Sequence, residues 1–233
     1  MAVQSWKLDG NEWIAGTKSS GLGAPAFWLP PVQPETPFLV KEQKACDSGI
    51  RITAEKTLNR KISPALEHLT IRQTLEVSRN LEKITIRTEL INMHDSESGM
   101  GSVTAGFRYH ILPLCLGKGG SLEMKSGGQS CKFRRTQERM IFARGATESA
   151  MAMKKLFEAP RAPVMIDDNI LTWRMPETEM EVRKSVEPAG GCAGFACWVT
   201  PNLETPTFEP FFLPVTLKAG ESAGYTLTLT AGK

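Results

Sequence analysis

Residues 69–91 read LTIRQTLEVSRNLEKITIRTELI. In the first half, Leu69, Ile71, Leu75 and Val77 fall on one face of an extended chain. Thr70, Arg72, Thr74 and Glu76 fall on the other. In the second half, Ile84, Ile86 and Leu90 oppose Lys83, Thr85, Arg87 and Glu89. A half-buried antiparallel strand requires this period of two, because successive side chains point to opposite faces of a sheet. Asn80 between the halves suits a hairpin turn, since its short amide bonds to nearby backbone and tolerates turn dihedrals. The stretch predicts two adjacent antiparallel strands, apolar towards a core and charged towards water.

Downstream the pattern continues through VTAGFRYHIL (103–112), GGSLEMKSGG (119–128), CKFRRTQ (131–137) and ERMIFAR (138–144). Further strands are expected at 163–173, 178–186, 194–200 and 207–217. A last one is expected in GYTLTLTAG (224–232), with Tyr225, Leu227 and Leu229 inward. Only TESAMAMKKLFE (147–158) reads as a helix. Upstream, GLGAPAFWLPPVQPETPFLV (21–40) is too rich in proline for a long helix or a central strand. Its Phe27, Trp28 and Phe38 predict an ordered segment over a core or along a cleft. About twelve short strands with almost no helix predict an all-β fold of two packed antiparallel sheets. With no internal repeat and no shift of composition, residues 1–233 read as one β-sandwich domain with a Pro/Gly-rich segment over about 1–45.

The totals narrow the function classes. With 28 basic and 25 acidic residues and a net charge of +3, the chain has no charge excess that would favour nucleic acid or an anionic membrane. No apolar run reaches the roughly 20 residues of a membrane span. The N-terminus shows no signal-peptide pattern, so a cytoplasmic location is expected. The cysteines at 46, 115, 131, 192 and 197 form no CxxC pair, and their odd number fits reduced thiols. No P-loop, dinucleotide fingerprint or nucleophile elbow is present, so no cofactor is expected. HDSESG (94–99) lacks calcium-loop spacing and reads as an interstrand loop, and no metal is expected. KFRRTQER (132–139) reads as a solvated strand face rather than an anion site.

Acid–base chemistry by a histidine with carboxylates remains, and GFRYHILP (106–113) sets His110 at a strand end, where a strand opens towards a loop cleft. Here ITIRTELINMHDSESGMGSVTAGFRYHILP (84–113) resembles the aldose 1-epimerases and the wider galactose-mutarotase-like group. In that group a strand ending in asparagine leads through a loop to a strand ending in histidine. The tail GFACWVTPNLETPTFEPFFLPVTLKAGESAGYTLTLT (194–230) is similar too, with Ala219 where the family has proline in its turn. The resemblance implies the supersandwich, a large antiparallel β-sandwich, and interconversion of sugar anomers without metal or nucleotide. It implies His110 as the acid at the ring oxygen and Glu209 as the base at the anomeric hydroxyl, with Glu204 as second candidate. Arg108, two residues before His110 on the same face, is expected to bind a hydroxyl or a phosphate. Trp28 is expected to bind substrate by stacking on a sugar face; Trp173 and Trp198 could do the same, though most tryptophans of a sandwich belong to its core. The expected partner is a small sugar or sugar phosphate. The alternative function is a non-catalytic carbohydrate-binding or accessory domain of the same fold.

Overall fold

In a computed structural model, the structure describes residues 3, 5–8, 11–15, 23–34, 37–95, 101–110, 112–113, 122–126, 128–133, 139–144, 147–166, 170–175, 178–187, 191–198 and 207–232. The strands are β1 (Ser5–Leu8), β2 (Asn11–Ala15), β3 (Ala24–Leu29), β4 (Pro31–Val32), β5 (Leu39–Cys46), β6 (Gly49–Thr57), β7 (Leu69–Ser78) and β8 (Lys83–Asn92). They continue with β9 (Val103–His110), β10 (Leu112–Pro113), β11 (Leu122–Ser126), β12 (Gln129–Phe133) and β13 (Met140–Ala143). After helix α1 (Thr147–Leu156) come β14 (Val164–Met165), β15 (Ile170–Met175), β16 (Thr178–Glu187), β17 (Cys192–Trp198), β18 (Thr207–Phe212), β19 (Val215–Leu217) and β20 (Ser222–Gly232).

Two nine-stranded sheets form the body. The first runs β12-β11-β15-β16-β20-β8-β7-β6-β5, antiparallel throughout. The second runs β14-β13-β17-β18-β9-β3-β4, with β10 on β18 and β19 on β9, and only its β13–β14 pair is parallel. The hairpin read from residues 69–91 is β7–β8, in register from Leu69 opposite Asn92 to Val77 opposite Ile84. Ile71, Ile86 and Leu227 of the first sheet meet Phe107, Phe195 and Phe212 of the second in one buried cluster. Alternation along β9 sends Phe107 and Tyr109 into this core and Arg108 to the other face. The expected all-β sandwich is what forms.

The Pro-rich segment joins the second sheet as short strands near its margin. β3 pairs with β9 along its length, whereas on its other side β4 pairs only with Phe27 and Trp28. Among the described residues, Pro25 therefore has no second neighbouring strand that needs its missing N–H. β5 and β6, at the margin of the first sheet, were not anticipated. Every residue of β5 from Leu39 to Ala45 is exposed, so no alternation marked it.

A buried polar chain crosses the sandwich. Gln73 Nε2 donates to the Gly23 carbonyl at 2.9 Å and to Thr88 Oγ1 at 3.1 Å. Thr88 Oγ1 lies 2.9 Å from Tyr109 Oη, which donates to the Ile86 carbonyl at 3.1 Å. Each link satisfies a group that would be costly to bury alone. Together they fix β9, the strand that carries Arg108 and His110, against the first sheet.

Candidate active site

The outer face of the second sheet holds the candidate site. Arg108 stands on β9 opposite Phe211 of β18 and Ala26 of β3. Its Nη1 donates to a carboxylate oxygen of Glu209, on β18. The Glu209 side chain is only 4% exposed and that of Arg108 15%. This is an ion pair out of water, where the attraction is strong and loss of one partner leaves a costly charge behind. The guanidinium carbon sits 5.6 Å from the Phe157 ring and 5.7 Å from the Phe211 ring, so the cation lies against two π-faces.

Helix α1 makes the wall. Ala150 and Met153, with Phe157 just beyond the helix, recur at helical spacing and face the sheet. They pack on Ile141, Ala143, Ala196 and Phe211. Small residues at 143 and 196 let the helix lie close to the strands. Arg139 Nη1 donates to the Phe157 carbonyl at 2.9 Å and to the Glu158 carboxylate at 2.8 Å, which holds the end of the helix in place. Arg108 Nε is buried with no hydrogen-bond partner among the described residues.

The backbone of His110 ends β9, opposite Ala24 of β3. The ladder sets Phe211 opposite Arg108 and Phe208 opposite Leu112, so Glu209 falls beside the end of β9. The two strand ends named from the sequence, Asn92 and His110, terminate β8 and β9. The side chains of His110, Trp173 and Trp198, and the whole of Glu204, lie outside the described residues, as does 134–138 of the basic cluster. Trp28 is 9% exposed, and its indole N–H donates to the Phe212 carbonyl at 2.9 Å. Its ring lies over Gly106, where any Cβ would come within 2.8 Å of the indole. Trp28 thus closes the sheet beside Arg108 as part of the packing. Phe157 and α1 were not named from the sequence as parts of the site. The Ala150, Met153 and Phe157 spacing was the available signal.

A groove of about 490 Å³ lies elsewhere, on the outer face of the first sheet, lined in part by Arg72, Arg87, Glu89 and Thr226. Its charges are mutually paired. Arg72 bonds Glu55 and Glu89, and Arg51 bonds Glu76. Among the described residues no group of three or more metal-ligating side chains occurs, and no helix is long and apolar enough to cross a membrane.

Two large antiparallel sheets packed face to face make a β-sandwich whose fold is like that of solved galactose-mutarotase-like proteins. The chain is similar over 98% of its length to the Slr1438 protein of Synechocystis sp. PCC 6803, covering 73% of that chain at 10% identity and a TM-score of 0.60. It is similar over its whole length to a galactose mutarotase-like protein of Clostridium acetobutylicum, covering 77% of that chain at 12% identity and a TM-score of 0.54. A galactose mutarotase related enzyme of Lactobacillus acidophilus matches 99% of this chain over 78% of its own, at 10% identity and a TM-score of 0.53. No protein-family model matches the sequence, and no curated protein matches it. The likeness is one of fold.

Proposed function

We propose that this chain acts on carbohydrate and interconverts sugar anomers by acid–base catalysis at the outer face of the second sheet. His110 is the acid that protonates the ring oxygen, and Glu209 is the base that takes the anomeric hydroxyl proton. The C1–O5 bond opens, the aldehyde carbon turns, and closure from its other face gives the other anomer. The acid and base then reverse roles, so atoms and protons balance without metal or nucleotide.

The observation that carries this reading is the buried Glu209 carboxylate, held by Arg108 beside the strand that ends in His110. A carboxylate so placed is fixed in direction and shielded from bulk water, as a positioned base must be. Arg108 orients Glu209 through its Nη1. The solved structures of like fold, one a mutarotase-related enzyme and one mutarotase-like, agree with a sugar as the ligand class.

A second reading has one observation in its favour. The carboxylate's ion pair is enclosed by Phe157 and Phe211, which suits a non-catalytic carbohydrate-binding domain in which the pair stabilises the sheet. Anomer exchange followed by NMR on free aldoses and hexose phosphates separates the two. Exchange above the buffer rate that falls at least about a hundredfold in His110→Ala is the expected result. Saturable sugar binding with exchange at the buffer rate would establish the second reading instead.

A further inference from the structure

Two of the chain's three histidines, 26 residues apart in sequence, meet at the end of the sandwich remote from His110. His68 precedes β7 and His94 follows β8, and their ring centroids lie 4.4 Å apart at an interplanar angle of 56°. The backbone holds both rings in place. His68 adopts φ +66°, a left-handed conformation that a residue with a Cβ takes at a cost. It is locked there, since its N–H donates to the Leu58 carbonyl and its carbonyl accepts from Met93 N–H, at 3.1 and 3.0 Å. His94 N–H donates to Asn92 Oδ1 at 3.1 Å, while the Asn92 amide donates to the Gly101 and Leu217 carbonyls. Gly101, at φ +150°, passes so close that a Cβ there would lie 2.7 Å from that of His94.

Strain of this kind persists where surrounding structure over-determines it, and it clusters at sites that do something. We propose that His68 and His94 form a two-imidazole site for a borderline divalent cation of the zinc class, which ties the residues just after β8 to the turn before β7.

The dimensions fit. A metal–nitrogen bond of about 2.0–2.1 Å puts each ring centre about 3.2 Å from the ion. Two cis imidazoles then have centres about 4.5 Å apart at a right angle and about 5.2 Å apart at the tetrahedral angle. The observed separation needs a ring movement of tenths of an ångström to reach that range. The site is open, because the His68 side chain is 51% exposed. The Glu67 carboxylate, 4.0 Å from His68 Nε2, adds a negative charge beside the pair that favours a cation. Arg60, 3.9 Å from Glu67, is the nearby positive group. Imidazole ligands favour zinc, nickel and copper over calcium or magnesium, and water completes the shell.

The test uses Zn²⁺ as the probe, followed by the ring signals of ¹⁵N-labelled histidine in the full chain and by calorimetry. The signals of His68 and His94 are expected to shift together and saturate at one equivalent, with His110 unmoved. Binding should weaken at least tenfold in His94→Ala and in His68→Gly. The glycine variant suits the left-handed backbone, so it keeps the fold while removing one ligand. Absence of saturable binding would overturn the proposal, as would affinity unchanged in both variants. Magnesium binding as tightly as zinc would also overturn it.

Discussion

Among the described residues, Arg–Glu pairs stand on the outer face of each sheet, and the two faces differ in what covers them. On the first sheet Arg72 bonds Glu55 and Glu89, but its side chain is 44% exposed. On the second sheet Arg108 bonds Glu209 beneath α1, with Phe157 and Phe211 against the guanidinium. The pairing chemistry is the same. In water it is screened and contributes little, whereas under a helix it becomes a fixed charge arrangement that is costly to break. An exposed ladder of this kind keeps a strand face soluble, while a covered pair can direct a carboxylate at one atom.

The contrast breaks first at the level of rate. Glu209→Gln keeps the side-chain shape and removes the base, and is expected to lower anomer exchange at least about a hundredfold, on the scale for losing a general base. Arg72→Ala is expected to leave exchange unchanged in the same assay. If both variants exchanged sugars alike, the covered pair would have no privileged role.

Stability sharpens the comparison next. Arg108→Ala takes the guanidinium away from the buried Glu209 carboxylate, and is expected to cost about 3–5 kcal/mol in urea unfolding. Arg72→Ala should cost no more than about 1 kcal/mol. Equal losses would contradict the difference drawn between the two faces. Gln73→Ala lies between them. It deprives the Gly23 carbonyl and Thr88 of a donor inside the core, with an expected cost of about 1–3 kcal/mol.

The pH dependence follows from buried and paired groups. Burial raises the hydroxyl pKa of both tyrosines, Tyr109 and Tyr225, well above the ordinary 10, with a smaller opposing effect of Thr88 on Tyr109. The folded state therefore holds protons that the unfolded state releases above pH 10. Their contribution to stability is complete below that value and is lost as pH rises beyond it. Tyrosinate absorbance near 295 nm is expected to appear only with unfolding, in one cooperative step. A gradual rise in the folded protein would contradict the core assigned to these side chains.

The smallest effect belongs to the exposed face. The hydrogen bond from Arg72 holds the Glu55 carboxyl below its ordinary 4.5, against a smaller opposing effect of burial. That contribution is present above pH 4.5 and disappears as pH falls through the lowered value. Arg72→Ala should flatten the acid limb of the stability curve slightly, and a steeper limb would run against the sign.

How much of this was legible depends on which faces alternate. Strands β7, β8 and β20, each with one apolar and one polar face, were readable because burial writes a period of two into them. β5 was not, because both its faces are exposed and only its hydrogen bonds to β6 define it. Gln73 interrupted the apolar face of LTIRQTLEV, and that interruption marked a buried polar chain rather than an error in the pattern. In the site, Arg108 and His110 lie two residues apart on β9, which a reader of GFRYH can see. That Glu209 reaches Arg108 across 101 residues is a matter of sheet order, which local periodicity does not encode. The same holds for His68 and His94. Only the β7–β8 register joins them.

The most direct test of the central claim is anomer exchange by NMR on a panel of aldoses and hexose phosphates, with wild type, His110→Ala and Glu209→Gln run together. The account predicts catalysed exchange of at least one sugar in wild type and its loss in both variants, with each variant folded. Catalysed exchange that survives in both variants would show that the covered face of the second sheet is not where the chemistry happens.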